Sequence, residues 1–405
     1  MCSTPEKFRR ILKKLLFTNL LGISITAAAL VPGAVVCAQT TTTAVTPGSG
    51  INPITVGVPI LMVTPDSRSG GLGDAGVALS PDVNANFWNP SKLAFIESTN
   101  ELSLSYNPWL RTLVPDISLS YLSFAHKLDD RNTLGVSMRY FNLGSIQLTD
   151  ELQQEQGTYT PNEFSIDASF ARKFGNNFSL GLTARYIHSS LYNNSVAGGP
   201  QTTPANDLAA DVSLYYRKPG ELFGKTNLFA FGTNISNIGP RISYSTNGPK
   251  YFLPTNLKIG VANTLNVDDL SQLTFTLDLN KLLVPTPPIR DANGNVIAGK
   301  DDNRSVVSGI FGSFSDAPGG FSEEIKEISY SPGLEYWYNR QFALRAGYFY
   351  QNPQKGSGQY LTLGAGIKYS VFNLDFAYIA ANQQKSPLAN TLRFSLLVNF
   401  DGRKK

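Results

Sequence analysis

The sequence predicts an all-β chain that closes into a 14-stranded antiparallel transmembrane β-barrel, and three observations carry that prediction. From about Glu101 onward, apolar and polar residues alternate strictly in segments of roughly ten residues. The connections between those segments alternate between tight turns and long loops. Ahead of them stand a basic head and an uncharged stretch, the form of an export signal.

The chain opens with Lys7, Arg9, Arg10, Lys13 and Lys14, runs uncharged from Leu15 to Val36, and reaches Val36-Cys37-Ala38 before Gln39. Positive head, apolar middle and small-residue exit read as a Sec signal peptide over residues 1–38, cleaved after Ala38. Two alternatives stay open. One is a retained membrane anchor, which Pro32 and Gly33 would interrupt. The other is a lipoprotein at Cys37, where Val36 occupies a position that a lipobox fills with Gly, Ala or Ser. Removing residues 1–38 takes away five basic residues and Glu6, leaving 29 charges of each sign. The pI near 8.8 then belongs to the signal, and no nucleic-acid partner is expected. Cys2 and Cys37 leave with it, so neither disulfides nor cysteine metal sites are expected, and no metal or other cofactor. Nothing after residue 38 is apolar for long enough to form a membrane helix.

Segment 39–50, rich in Thr, Gly and Pro, reads as a flexible leader. Segment 51–98 has dense Gly, Pro and Asn without alternation, and its expected place is inside the barrel as a plug. The barrel itself is expected over 99–400, with a polar tail at 401–405. Its strands are expected near 99–107, 116–127, 132–143, 162–174, 177–191, 206–217, 226–238, 253–264, 271–283, 326–338, 341–351, 359–369, 371–380 and 390–400. In 361–369 the apolar set is Leu361, Leu363, Ala365, Ile367 and Tyr369, expected to face lipid. The opposite sets carry Arg139, Arg185, Lys258, Asp278, Arg345, Lys368, Asp375 and Arg393, expected to face the lumen.

Alternation alone also fits a soluble sandwich, and the connections decide between the two. Leu128–Arg131, Gly175–Asn176, Asn339–Arg340 and a one-residue join at Ser370 are tight, with longer connections at Lys218–Lys225 and Leu265–Leu270. The other set is long: 144–161, 192–205, 239–252 and 284–325. Short turns at one end, long loops at the other and an even strand count are the outer-membrane signature, with the tight turns in the periplasm. Tyr106, Trp109, Tyr215, Tyr216, Trp337, Tyr338, Tyr350, Tyr369 and Tyr378 stand near strand ends as an interfacial girdle would, and Phe400 closes the last strand. Short amphipathic helices are expected at Asn303–Ser313 and Phe321–Ile325.

Residues 66–96 read DSRSGGLGDAGVALSPDVNANFWNPSKLAFI. This resembles the N-terminal motif of the FadL-like barrels, whose Gly-rich stretch and Asn-Pro pair form a luminal hatch. The matching positions are Arg68, Gly70, Gly71, Gly73, Gly76, Asn89 and Pro90. Extended to TPDSRSGGLGDAGVALSPDVNANFWNPSKLAF and the following SYNPWLRTLVPDISLSYLSF, the sequence resembles the PorV family, the FadL-like barrels of the Bacteroidetes type IX secretion system. The likeness is densest over 60–145. It implies a 14-stranded barrel with a luminal plug and no catalytic role. It further implies a protein that receives cargo by its type IX C-terminal domain at a Sov-like translocon. The cargo then passes to attachment-complex proteins PorU, PorQ and PorZ, which link it to lipopolysaccharide.

The first external loop holds the residues expected to meet a partner: Trp109, Leu110, Arg111, Leu113, Val114 and Pro115. An apolar cluster facing water marks an interaction surface, unless Trp109 folds back onto the barrel rim. The other external loops are rich in Asn, Thr, Tyr, Pro and Gly, which suits a polar, reversible contact. No G-x-S-x-G, H-E-x-x-H or cysteine nucleophile occurs, and His126 and His188 lie in expected strands, so no enzyme is expected. Asp301-Asp302 offers two carboxylates to calcium, which is weak as a site. Two rival readings remain: a FadL-like transporter of hydrophobic small molecules, and a lipid-A-modifying enzyme.

Overall fold

The structure is a computed structural model and describes residues 50–109, 116–149, 154–191, 203–245, 248–356, 358–381 and 391–401. Fourteen antiparallel strands form one closed barrel: β1 Asn100–Pro108, β2 Ile117–Lys127, β3 Asn132–Leu143, β4 Asn162–Phe174, β5 Phe178–Ser190, β6 Ala205–Leu222 and β7 Lys225–Ile238, then β8 Asn256–Asn266, β9 Ser271–Leu282, β10 Ser329–Tyr338, β11 Phe342–Tyr350, β12 Gln359–Tyr369, β13 Phe372–Ala381 and β14 Thr391–Phe400. Each strand bonds to its neighbours in sequence. β1 closes on β14, from Asn100 opposite Phe400 to Tyr106 opposite Phe394. Closure leaves no unpaired sheet edge for lipid to meet.

The polarity of the wall is inverted relative to a water-soluble protein. On β3, Leu134, Val136, Met138 and Tyr140 point outward and are exposed, while Thr133, Ser137 and Arg139 are buried inside. β4, β5, β12 and β14 repeat the scheme, with Ile166, Leu182, Leu363 and Leu396 outside against Asp167, Arg185, Thr362 and Arg393 inside. Charged groups buried behind an exposed apolar skin are what a bilayer on the outside demands.

Among the described residues, the tight turns share one end. Asn339 and Arg340 both adopt positive φ, at 51° and 53°. That pair of left-handed residues is what a two-residue hairpin turn requires. The one-residue join expected at Ser370 is a two-residue turn, Ser370-Val371, with Ser370 at φ 54°. The connection expected at Lys218–Lys225 is not a loop. β6 and β7 continue to Leu222 and Lys225, and only Phe223 and Gly224 turn the chain, at φ 52° and 71°. β5 pairs with β6 only as far as Tyr216, so the tip of this hairpin projects beyond its neighbour on that side.

At the opposite end, the described residues form three two-stranded ribbons in the long loops: Ile146–Thr149 with Glu155–Tyr159, Ile242–Ser243 with Lys250–Tyr251, and Ile289–Arg290 with Val296–Ala298. The helices expected in the longest loop are present as Val306–Gly312 and Phe321–Lys326. Part of the expected aromatic girdle turns inward. Tyr106, Tyr338, Tyr369 and Tyr378 face out, but Tyr215 is fully buried against Phe95 and Trp337 lies beneath the Arg345 guanidinium.

Candidate functional site

Residues 57–96 run through the barrel interior and are buried almost throughout. The segment begins at the long-loop mouth, where the Asn52 amide N–H donates to the Gln354 carbonyl at 2.8 Å and its side chain donates to the Pro287 carbonyl and to Glu323. It ends at the short-turn mouth, where Thr99 leads directly into β1.

Its chemistry is that of a strand wall lined with acceptors and cations. Asp66 caps a one-turn helix, Ser67–Gly70, by accepting from Ser69 N–H at 2.9 Å, and its other oxygen accepts from the Trp88 indole at 2.6 Å. Arg68 grips both oxygens of Glu335, at 3.0 and 2.8 Å, and reaches Asp82 at 2.8 Å. Arg345 binds the same Glu335 at 2.7 Å and Asp375 at 2.7 Å, so five charges form one buried chain from the inner segment into the wall. A second group joins Arg185 to Asp167 at 2.7 Å and Asp211 at 3.0 Å, with Arg139 3.6 Å from Asp167. A bulge between β6 and β7 supplies its last member. Asn237, at φ 60°, donates its backbone N–H to Asp211 and accepts from Arg185 through its side chain. Asp74 pairs with Arg393 at 2.8 Å and accepts from the Tyr360 hydroxyl. Lys92 donates to the Gly76 carbonyl at 2.6 Å.

Gly70, Gly71 and Gly73 stand where the segment touches the wall closely, and Gly76 where the segment folds on itself. Gly70 packs on Arg393, Gly71 on Gly364 and Gly76 on the Trp88 ring. Gly73 has φ +70°, and a Cβ there would lie 2.6 Å from the Tyr348 backbone nitrogen. No other residue type fits both conditions. Asn89 donates to the Val77 and Leu214 carbonyls at 3.1 and 2.9 Å, and Pro90 opens the 3₁₀ turn Pro90–Phe95. The segment also touches the barrel seam. Ser395 on β14 accepts from Ser67 N–H at 2.8 Å and shares a 2.7 Å hydrogen bond with Ser105 on β1.

Of the first-loop residues singled out from the sequence, Leu110, Arg111, Leu113, Val114 and Pro115 lie outside the described residues. Trp109 does not stand in water. It is half-buried, edge-on to Phe141 with ring centroids 5.2 Å apart, and it packs on a cluster containing Val58, Ile60 and Ile117. The exposed apolar surface that sequence reasoning missed lies in the longest loop. There Val307 and Phe311 project from one short helix and Phe321 and Ile325 from the next, with the two phenylalanines 76% and 78% exposed. Spacing of four residues puts each pair on one helix face, and this was the available signal. The loop beneath is held rigidly. Lys281 pairs with Glu324 and Glu327 at 3.0 and 2.6 Å, Lys355 pairs with Glu327 at 2.9 Å, and Thr286 donates to Glu327 at 2.6 Å. Burial raises the Asp316 carboxyl above its ordinary value even though Arg304 lies 3.1 Å away.

The remaining titratable candidates have structural partners. His126 shares a hydrogen bond with Asn100, and His188 shares one with Asn206 while stacking on Phe164. Asp301 and Asp302 both accept from Arg290, at 2.8 and 2.5 Å.

Comparison with solved structures finds barrels of similar architecture. The Pseudomonas putida toluene transporter TodX is 12% identical, with a TM-score of 0.46, and the match covers 84% of this chain and 99% of that one. The Ralstonia pickettii toluene transporter TbuX is 10% identical, with a TM-score of 0.43 over 83% of this chain and 98% of that one. A Pseudomonas aeruginosa FadL homologue is 13% identical, with a TM-score of 0.40 over 87% of this chain and 100% of that one. No curated protein matches. The family profile of the type IX secretion system protein PorV matches residues 48–289, more than half of the chain, and the protein therefore belongs to the PorV family of outer-membrane barrels.

Proposed function

We propose that this barrel is a non-enzymatic cargo receptor of the type IX secretion system. It takes cargo by the cargo's C-terminal signal domain at a Sov-like translocon and passes it to an attachment complex of PorU, PorQ and PorZ type, beside the lipopolysaccharide of the outer leaflet. The observation that carries the reading is the contrast between lumen and outer face. The lumen holds the chain's own residues 57–96, locked in by buried ion pairs, which disfavours passage of a protein. The outer face instead presents a braced loop with two exposed apolar helix faces, Val307/Phe311 and Phe321/Ile325. Exposed apolar residues on a rigid support favour a protein partner, since little side-chain or loop ordering is lost on contact.

The test is the cell-surface and culture-medium proteome of a deletion strain, with the gene restored as control. Proteins bearing type IX C-terminal domains are expected to stall in the periplasm or to lose their anchoring. Unchanged surface proteins with impaired growth on hydrophobic substrates would instead mark a small-molecule transporter.

A further inference from the structure

The β6–β7 hairpin continues past β5 at the short-turn mouth, the end that faces the periplasm. Phe229, opposite Lys218, is its last lipid-facing aromatic. Phe223 at the tip comes five residues after Lys218, about 16 Å along the strand and about 12 Å along the membrane normal at the usual barrel tilt. The headgroup layer on one side of a bilayer is roughly 5–8 Å deep, so the tip stands in water beyond it. Phe223 is 88% exposed and held at φ 52°, and Leu222 beside it is exposed as well. An exposed aromatic in a left-handed turn contributes nothing to the packing of the barrel and is held there against steric resistance.

The rim at the root of the hairpin is basic. The turn ends at 127–131, 172–177 and 217–225 hold seven basic residues against three acidic ones. One of the three, Asp129, is occupied by its own turn, accepting from the N–H groups of Arg131 and Asn132. Lys127, Lys173 and Arg217 lie on the lumen side of β2, β4 and β6, in step with buried Ala125, Ala171 and Tyr215. The Arg217 guanidinium and the Lys173 ammonium stand 4.3 and 5.3 Å from the centroid of the Phe95 ring. Lys173 faces Lys127, Arg217 and the exposed Asp130, while Lys225 on the hairpin faces Asp268.

We infer that the hairpin tip and this rim form a docking surface for a periplasmic protein that presents an acidic face and an apolar pocket for Phe223. The excess of positive charge selects an acidic face, because complementary charge steers the encounter and like charge is repelled. The exposed ring is the anchor, a large apolar group that gains most when a pocket removes it from water. Anionic lipid matches the surface less well, since Lys127, Lys173 and Arg217 turn toward the mouth and the tip stands beyond the headgroups. The inference stands apart from the cargo-receptor reading, which concerns the opposite face of the barrel.

The experiment uses two probes in living cells that produce the full chain. One is p-benzoylphenylalanine in place of Phe223, which photo-links whatever touches the tip. The other is a water-soluble carbodiimide, which joins a lysine ammonium to a carboxylate. A single periplasmic protein is expected to carry both links, the second from its Asp or Glu side chains to Lys127, Lys173, Lys218 or Lys225. That protein is then purified and titrated against the full-length barrel in nanodiscs. Phe223→Gly is expected to weaken binding roughly tenfold or more while the variant barrel resists urea at least as well as the parent, and Phe223→Trp to retain binding. Lys127→Gln with Lys173→Gln is expected to weaken binding at low salt and to change it less at high salt, with folding checked by resistance to unfolding in cold SDS. The inference is overturned if the tip links only to lipid or to a second copy of the barrel, or if it links to nothing. It is equally overturned if the photo-linked protein carries no carbodiimide link, or if the Phe223→Gly barrel binds it as tightly as the parent.

Discussion

Replacing Arg68 with Met removes the second member of the buried chain Asp82–Arg68–Glu335–Arg345–Asp375 while keeping much of the side-chain volume. Breaking a buried ion pair from one side costs about 3–5 kcal/mol, because the other charge stays behind without its partner. Glu335 retains Arg345 at 2.7 Å, which places the expected loss near the lower end, about 3 kcal/mol. Glu335→Gln alone strands Arg68 on Asp82 and leaves Arg345 on Asp375, with a loss of similar size. The double variant lacks both members of the bidentate contact, so its loss should fall short of the sum by more than about 0.5 kcal/mol and up to about 3 kcal/mol, the range for residues in direct contact. The assay is urea unfolding of the barrel reconstituted in vesicles, followed by tryptophan fluorescence, for the parent, both singles and the double. Losses that add to within about 0.5 kcal/mol would show no coupling between the two groups and refute the argument.

Gly73→Ala should cost more than the roughly 1–3 kcal/mol typical of overpacking, since it adds left-handed strain to a 2.6 Å approach on Tyr348; thermal unfolding measures it. Phe311→Ser with Phe321→Ser should leave barrel stability within about 0.5 kcal/mol, as exposed substitutions do. If either ring is a binding hot spot, the same change weakens cargo capture by about 2 kcal/mol, roughly thirtyfold, which a pulldown titration reads. Phe223→Gly should stabilise the barrel by about 1 kcal/mol, because Phe223 is 88% exposed and held at φ 52°, where glycine carries no steric penalty. Unchanged unfolding in urea would count against strain at that turn.

The sequence showed the wall far more readily than what the wall encloses. Period-two alternation is local, so strands such as 132–143, 162–174 and 359–369 coincide with those in the structure end to end. It failed at the β6–β7 hairpin, where Pro219-Gly220 and Phe223-Gly224 look like chain breakers. Pro219 is tolerated because the last backbone bond of β6 on its β5 side is Arg217 N–H to the Asn177 carbonyl, two residues earlier, so the missing N–H interrupts no ladder there. Trp109 was legible as apolar, but its resting place depends on Phe141, on a strand two hairpin connections away in sequence. Lys258 was legible as lumen-facing from its place in the alternation.

The hydroxyl of Ser395 binds two neighbours at once: Ser105 across the seam between the first and last strands, and Ser67 on the segment within. The inner segment passes from the long-loop mouth to the short-turn mouth before the first strand begins. An occupant of that kind is like a ship in a bottle, because the last strand closes over it. Gathering residues 57–96 before β14 docks on β1 spares assembly from threading them in lengthwise, and the segment helps to hold shut the seam that confines it. Once the barrel is sealed, removing the segment requires either parting β1 from β14 or drawing it lengthwise past the ion pairs of Arg68, Asp74 and Arg393.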